Sequence, residues 1–192
     1  MKILIRGGSI SAGFNVETSY VDILEDFCRA RGVELINRSR IKDNSFDGIW
    51  SFYEDIDPYR PEILMIHFGM DDAFCPVYFS EFKENLVRMV RLARQRFNPA
   101  ILIPTSHTFD NVYDMEAVYI YYRAIREVAL DLDCEMIPIH TYWAGYLQDN
   151  GLSNSDLVLD DTRYPNEKGH EIFAQAIIPR LERLFHSLPR QK

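Results

Sequence analysis

The first segment able to do chemistry is RGGSISAGFN, where two glycines and then Ser9 follow an apolar run. Glycines let a chain turn sharply off a strand, and a serine held there offers its hydroxyl and its own backbone N–H to one point, as an acyl-transfer nucleophile must. Taken alone, such a segment is more often a turn or a helix N-cap. A second group is acidic: Asp71 and Asp72 in HFGMDD, and Asp160 and Asp161 in LDDTRYPNEKGH. If their loops meet, their oxygens could hold Mg²⁺, Ca²⁺ or an amine; Asp72 and Asp160 read more simply as caps of helices or turns. Three histidines bear on the same chemistry: His107 in PTSHTFDN, His170 near the last helix, and His67, which faces either a site or the core.

The elements that must position these residues follow from alternating patterns. Lys2–Arg6, Val33–Asn37, Glu62–His67, Ala100–Pro104 and Glu135–Ile139 read as strands. Thr18–Ala30, Ser45–Asp55, Tyr78–Phe97, Asp114–Leu132 and Asn166–Phe185 carry helical spacing, Ile172, Phe173, Ala176, Ile177 and Leu181 recurring at three- and four-residue intervals in the last. Near-continuous apolar strands alternating with helices predict a five-stranded parallel sheet covered on both faces, because right-handed crossovers place the helices there. Ligands of such sheets bind beyond the carboxyl ends of the strands, which directs attention to the loops starting at Gly7, Arg38, Phe68, Thr105 and His140.

Three blocks on those loops resemble the SGNH (GDSL) hydrolase family. Gly7, Ser9, Ile10 and Gly13 match the Gly-Asp-Ser-Leu/Ile block, Gly69 and Asp72 match Gly-x-Asn-Asp, and Asp161, Pro165, Asn166, Gly169 and His170 match Asp-x-x-His-Pro-Asn-x-x-Gly-His. The resemblance spans about Lys2 to Phe185 and implies a three-layer α/β/α sandwich of flavodoxin-like type. It also implies serine-based hydrolysis of small esters, acyl groups or acetylated sugars. In that chemistry serine attacks, histidine removes its proton, an aspartate three residues earlier orients the imidazole, and backbone N–H groups with an asparagine amide hold the oxyanion.

The sequence departs from this pattern at each block. Tyr164 stands where the histidine belongs, three residues after Asp161, and a phenol with a pKa near ~10 is a poor base at neutral pH. Loss of a triad histidine lowers turnover by roughly 10⁶. Asp71 replaces the oxyanion asparagine; ionised, it only accepts hydrogen bonds and repels the developing charge, and losing one such donor costs roughly 10²–10³. The family has a further block, second in chain order, that supplies a glycine N–H after the second strand, which makes Gly-x-Asn-Asp the third. Ser39, in NRSRI, takes that glycine's position, where a backbone N–H survives, and Gly8 replaces the aspartate of Gly-Asp-Ser.

These residues imply a hydrolase-family protein whose conventional Ser9, Asp161, Tyr164 chemistry is weak, altered or lost, with Ser39, Gly69, Asp71 and His107 lining a pocket for a small polar ligand. The alternative is a working esterase or acetylesterase that recruits His107 as base. Neither reading calls for a cofactor or a metal. One domain spans 1–192, with SLPRQK (187–192) as a frayed tail. A formal charge of −8 argues against nucleic acid or an anionic membrane as partner, and the arginines of Arg88–Arg96 read as the polar side of a helix. MKILIRGG lacks a signal peptide's longer apolar stretch and no run reaches membrane length, so a cytoplasmic location is expected. Cys28, Cys75 and Cys134 are too few and too far apart for a disulfide framework or a four-ligand zinc site. Oligomeric state is not legible.

Overall fold

The computed structural model of the protein describes residues 1–75 and 77–188. Five parallel strands, β1 (Lys2–Gly7), β2 (Glu34–Asn37), β3 (Ile63–His67), β4 (Ala100–Pro104) and β5 (Glu135–Ile137), pair in the order β2-β1-β3-β4-β5. Register runs Ile3 to Leu35 on one side of β1 and Ile3 to Ile63 on the other. Helices α1 (Tyr20–Arg29), α2 (Ser45–Trp50), α3 (Phe52–Asp55), α4 (Met70–Phe74), α5 (Phe79–Arg96), α6 (Val112–Asp131), α7 (Ile139–Asn150) and α8 (Glu167–Ser187) cover the sheet. α1, α7 and α8 pack together, as do α2, α5 and α6, which gives the three-layer α/β/α sandwich expected from the alternation.

Sequence explains the central elements directly. Ile3, Leu4, Ile5 and Ile63 to Ile66 are fully buried, as strands covered on both faces must be. In α5 the buried residues are Phe82, Asn85, Leu86, Met89, Val90 and Ala93, while Arg88, Arg91 and Arg96 face outward, so the arginine run is a solvated helix face. Among the described residues no helix is long and apolar enough to cross a membrane. The three thiols are free, Cys28 in the core and Cys134 half-buried. Of the tail, Ser187 closes α8 and 189–192 lie outside the described residues.

Besides the short α4, which lies in the loop expected after β3, two elements differ from the sequence reading. The helix expected over Ser45–Asp55 breaks at Ser51, whose hydroxyl turns back to the Asp47 carbonyl at 2.8 Å and accepts from the Arg6 guanidinium at 3.1 Å. The strand expected to reach Ile139 ends at Ile137, and Ile139 instead opens α7, because Pro138 has no N–H with which to extend the ladder.

This strand order fixes where a site forms. β1 and β3 are neighbours whose following loops run to opposite sides of the sheet, so the loops after Gly7 and His67 meet at the topological switch point. Ser9 and Asp71 lie on those two loops.

Candidate active site

Ser9 sits in a tight turn leaving β1, with the Phe14 N–H bonded to its carbonyl at 3.1 Å and Ala12 bonded to Gly8 at 3.0 Å. Its partner is Asp71. The Ser9 N–H donates to Asp71 Oδ2 at 2.8 Å and the Ser9 hydroxyl donates to Asp71 Oδ1 at 2.8 Å. The Lys42 N–H donates in turn to Ser9 Oγ at 2.8 Å. Gly8 makes this approach possible: a Cβ there would collide with Asp71 Oδ2 and the Asp43 carbonyl. The Asp71 carboxylate thus occupies the space a side chain at position 8 would need.

The carboxylate therefore lies on the serine N–H that would otherwise face an oxyanion. Burial pushes the Asp71 carboxyl above the usual range; the two Ser9 hydrogen bonds and the Arg163 charge oppose that shift, and Asp43 adds to it. Tyr164, buried against Phe14 with ring centroids 4.5 Å apart, has its hydroxyl pKa raised by burial and by the Asp71 charge, so it remains a neutral phenol.

Asp161 does not orient Tyr164. Its carboxylate is taken by Arg163 Nε at 2.8 Å and Nη2 at 2.5 Å, which holds it below the usual carboxylate range, while its carbonyl accepts the Tyr164 N–H at 3.0 Å. Asp72 caps structure rather than a ligand, accepting the Gly69 and Ser45 N–H groups, each at 2.9 Å, with burial raising it to about 6. The Gly69 N–H is spent on that cap, and its φ of +122° explains the glycine. Asp160 is exposed. Among the described residues no three acidic, histidine or cysteine side chains are placed to hold a metal ion, so the cation cluster considered from sequence does not form.

His107 is placed elsewhere. Fully buried against Phe109 and Trp143, it donates from Nε2 to the Thr162 carbonyl at 2.9 Å, which leaves Nδ1 to accept from Ser106 at 3.0 Å. Both ring nitrogens are occupied, and burial lowers its pKa to about 4. His67 turns to the core, its Nδ1 shared by Ser11 and Tyr20, each at 2.9 Å, and His170 Nδ1 accepts the Tyr20 N–H at 3.1 Å. Among the described residues no hydrogen bond joins Ser9 to a histidine. The substitution of His107 for the missing base has no geometric support.

Ser39 is likewise displaced: its N–H bonds the Asn37 side chain at 3.0 Å and its buried hydroxyl has no partner among the described residues. Lys42, which sequence reasoning missed, is the residue of this loop whose N–H reaches Ser9, at its Oγ. It has φ +68°, uncommon for a residue with a side chain, in a turn closed by Asp43 N–H to the Arg40 carbonyl at 3.2 Å. A network beneath holds that turn. Fully buried Arg6 reaches the Asp43 carboxylate and the Gly7 carbonyl, and fully buried Asp55 accepts from Arg38 at 2.9 Å and Arg40 at 2.5 Å.

Over Ser9 lies a pocket of about 300 Å³ lined by Lys42, Met70, Asp71, Phe74, Cys75, Arg163 and Tyr164. Ser9 itself is fully buried and does not line it, whereas Asp71 and Lys42, which bond to Ser9, do. Asp71, Arg163 and Tyr164 thus belong to one pocket, and Ser39 and His107 are absent from its lining.

The profile of the GDSL-like lipase/acylhydrolase family matches residues 6–172. An arylesterase of Vibrio mimicus is 28% identical over 97 residues, a match covering 48% of each chain, so the alignment spans about half the length of that relative. The acetylxylan esterase of Geobacillus stearothermophilus superposes with a TM-score of 0.82 at 19% identity, covering 93% of this chain and 92% of that one. Solved variants of that enzyme described as catalytic mutants replace a serine, an aspartate and a histidine. An α/β hydrolase from the metagenome of Lake Arreo, Spain, superposes with a TM-score of 0.79 at 18% identity over 93% of each chain. At such identities the likeness shows the fold.

Proposed function

Because the chain belongs to the GDSL-like lipase/acylhydrolase family, we propose that it binds a small acyl ester or similarly sized polar ligand in the Ser9 pocket and does not run conventional Ser-His-Asp hydrolysis. One observation carries this reading: both donors of Ser9, its N–H and its hydroxyl, are engaged by the Asp71 carboxylate, with no histidine in the arrangement. The Phe74 and Tyr164 rings give the pocket apolar walls suited to an acetyl or aryl group, while Lys42 and Arg163 offer donors at its edge. Acetylated sugars and aryl esters, on which the similar proteins act by name, are the ligand classes to try first.

Two assays test it together. Calorimetric titration with phenyl acetate detects binding, which Phe74→Ala weakens. Hydrolysis of p-nitrophenyl acetate falls well below the ~1–10³ s⁻¹ of ordinary enzymes, by at least about 10⁴-fold. Turnover within the ordinary range that disappears in Ser9→Ala would overturn the reading, as would absence of phenyl acetate binding.

A further inference from the structure

The missing histidine leaves open what, if anything, accepts the Ser9 proton. The group touching that proton in the structure is a carboxylate, 2.8 Å from Oγ and 8% exposed. From this contact we infer that Asp71 is the proton acceptor of a histidine-free Ser9–Asp71 nucleophilic pair. The inference rests on Ser9 marking the active pocket, and it names the altered chemistry available there.

The electrostatic objection, that a carboxylate repels an oxyanion, applies only while Asp71 is ionised. When Ser9 Oγ attacks an ester carbonyl, the Oγ–C bond forms as the hydroxyl proton passes to Asp71 Oδ1. The negative charge leaves Asp71 as it appears on the carbonyl oxygen, so the site holds one negative charge throughout. The neutral acid is a weaker acceptor, which releases the Ser9 N–H toward the new oxyanion. Collapse breaks the bond to the leaving alcohol, whose oxygen takes the proton from Asp71. Water then attacks the acyl carbon, giving its proton to Asp71, and Ser9 Oγ departs with that proton, leaving a carboxylic acid and restored enzyme.

The surroundings favour this exchange. Groups facing Asp71 are Ser9, Arg163, Asp43, Asp72 and Tyr164, with the Lys42 amide on Ser9 Oγ. Burial makes the carboxylate a stronger base than one in water, while the Arg163 charge steadies the single negative charge wherever it resides. The same burial makes the chemistry slow: Ser9 is fully covered, so an acyl group reaches Oγ only after a pocket side chain moves aside. Slow turnover through Asp71 agrees with the loss of conventional catalysis proposed above.

Substitution at this position separates two roles by the sign of the effect. The third-block residue of the family is asparagine, so Asp71→Asn supplies an oxyanion donor while removing the base. A fluorophosphonate probe reads the outcome, because attack by Ser9 forms an Oγ–P bond, expels fluoride and leaves the proton on the acceptor. If Asp71 is the base, wild type is phosphonylated at Ser9 slowly, Ser9→Ala not at all, and Asp71→Asn more slowly than wild type, because the lost base is worth up to about 10⁴ and the added donor no more than about 10³. Asp71→Glu, which keeps a carboxylate, retains more of the rate than Asp71→Asn, with circular dichroism giving the folded fraction of each. Labelling of Asp71→Asn as fast as or faster than wild type overturns the inference, as does wild type that stays unlabelled. Should Asp71→Asn fail to fold, a wild-type rate that does not fall as acid protonates the carboxylate overturns it equally. Phenyl acetate binding is read separately, so the pocket can stand when the base assignment falls.

Discussion

Lowering the pH from 7 to 5 should destabilise the protein strongly, because three of its histidines are buried in the neutral form. Burial holds His107 at about 4, and burial with the charge of neighbouring imidazoles holds His67 at about 3 and His170 at about 4. The unfolded chain takes up these protons near ~6.5. A depressed histidine pKa therefore gives stability that is complete above ~6.5 and lost as the pH falls toward the folded-state value. Between pH 7 and 5 each histidine accounts for about 1.9 kcal/mol of loss by linkage, or about 5–6 kcal/mol for the three. Asp72, raised to about 6, works oppositely: its protonated form suits the folded state, returning about 1.3 kcal/mol over the same interval. The net loss is about 4 kcal/mol, which for a chain of this size lowers the melting temperature by roughly 8–16 °C. Differential scanning calorimetry at pH 7, 6 and 5 reads this, and His107→Gln should flatten the slope. A melting temperature that does not fall between pH 7 and 5 would refute the account of these histidines as buried neutral groups.

Other perturbations follow from the same contacts. Gly8→Ala forces a Cβ against the Asp71 carboxylate and the Asp43 carbonyl and should cost about 1–3 kcal/mol in urea unfolding; an unchanged midpoint would show that the turn has more room than these contacts imply. Asp55→Asn leaves Arg6, Arg38 and Arg40 short of a buried counter-charge and should cost about 3–5 kcal/mol by the same measurement. Combining Asp71→Asn, Arg163→Ala and Tyr164→His supplies the oxyanion amide, frees Asp161 and installs the imidazole. Fluorophosphonate labelling of Ser9 should then exceed that of wild type by about 10² or more, and no gain would count against the pocket geometry.

Part of the candidate site was legible because its carriers sit in local patterns. The apolar runs fixed β1 and β3, and the Gly-Gly-Ser and Asp-x-x-Tyr-Pro-Asn spacings placed Ser9 and Tyr164 on adjoining loops. What sequence withheld was pairing. Ser9 and Asp71 are 62 residues apart, and only the adjacency of β1 and β3 brings their loops together. Lys42 gave no signal, since its contribution is a backbone N–H presented by a positive φ that a lysine does not advertise. The Asp161–Arg163 pair was readable in principle, two residues apart on one turn, but the family pattern directed attention from Asp161 to position 164. α7 escaped because few of its residues, chiefly Ile139 and Trp143, are buried, leaving a weak periodic signal.

The central claim, that Ser9 works with a carboxylate and without a histidine, is tested most directly by the second-order rate constant for Ser9 phosphonylation in wild type and His107→Gln, compared per folded molecule. The two should agree within about threefold, since removing a group that does not act on Ser9 leaves the barrier to attack unchanged. A fall of about 10²-fold or more in His107→Gln would return histidine to the mechanism and contradict the account.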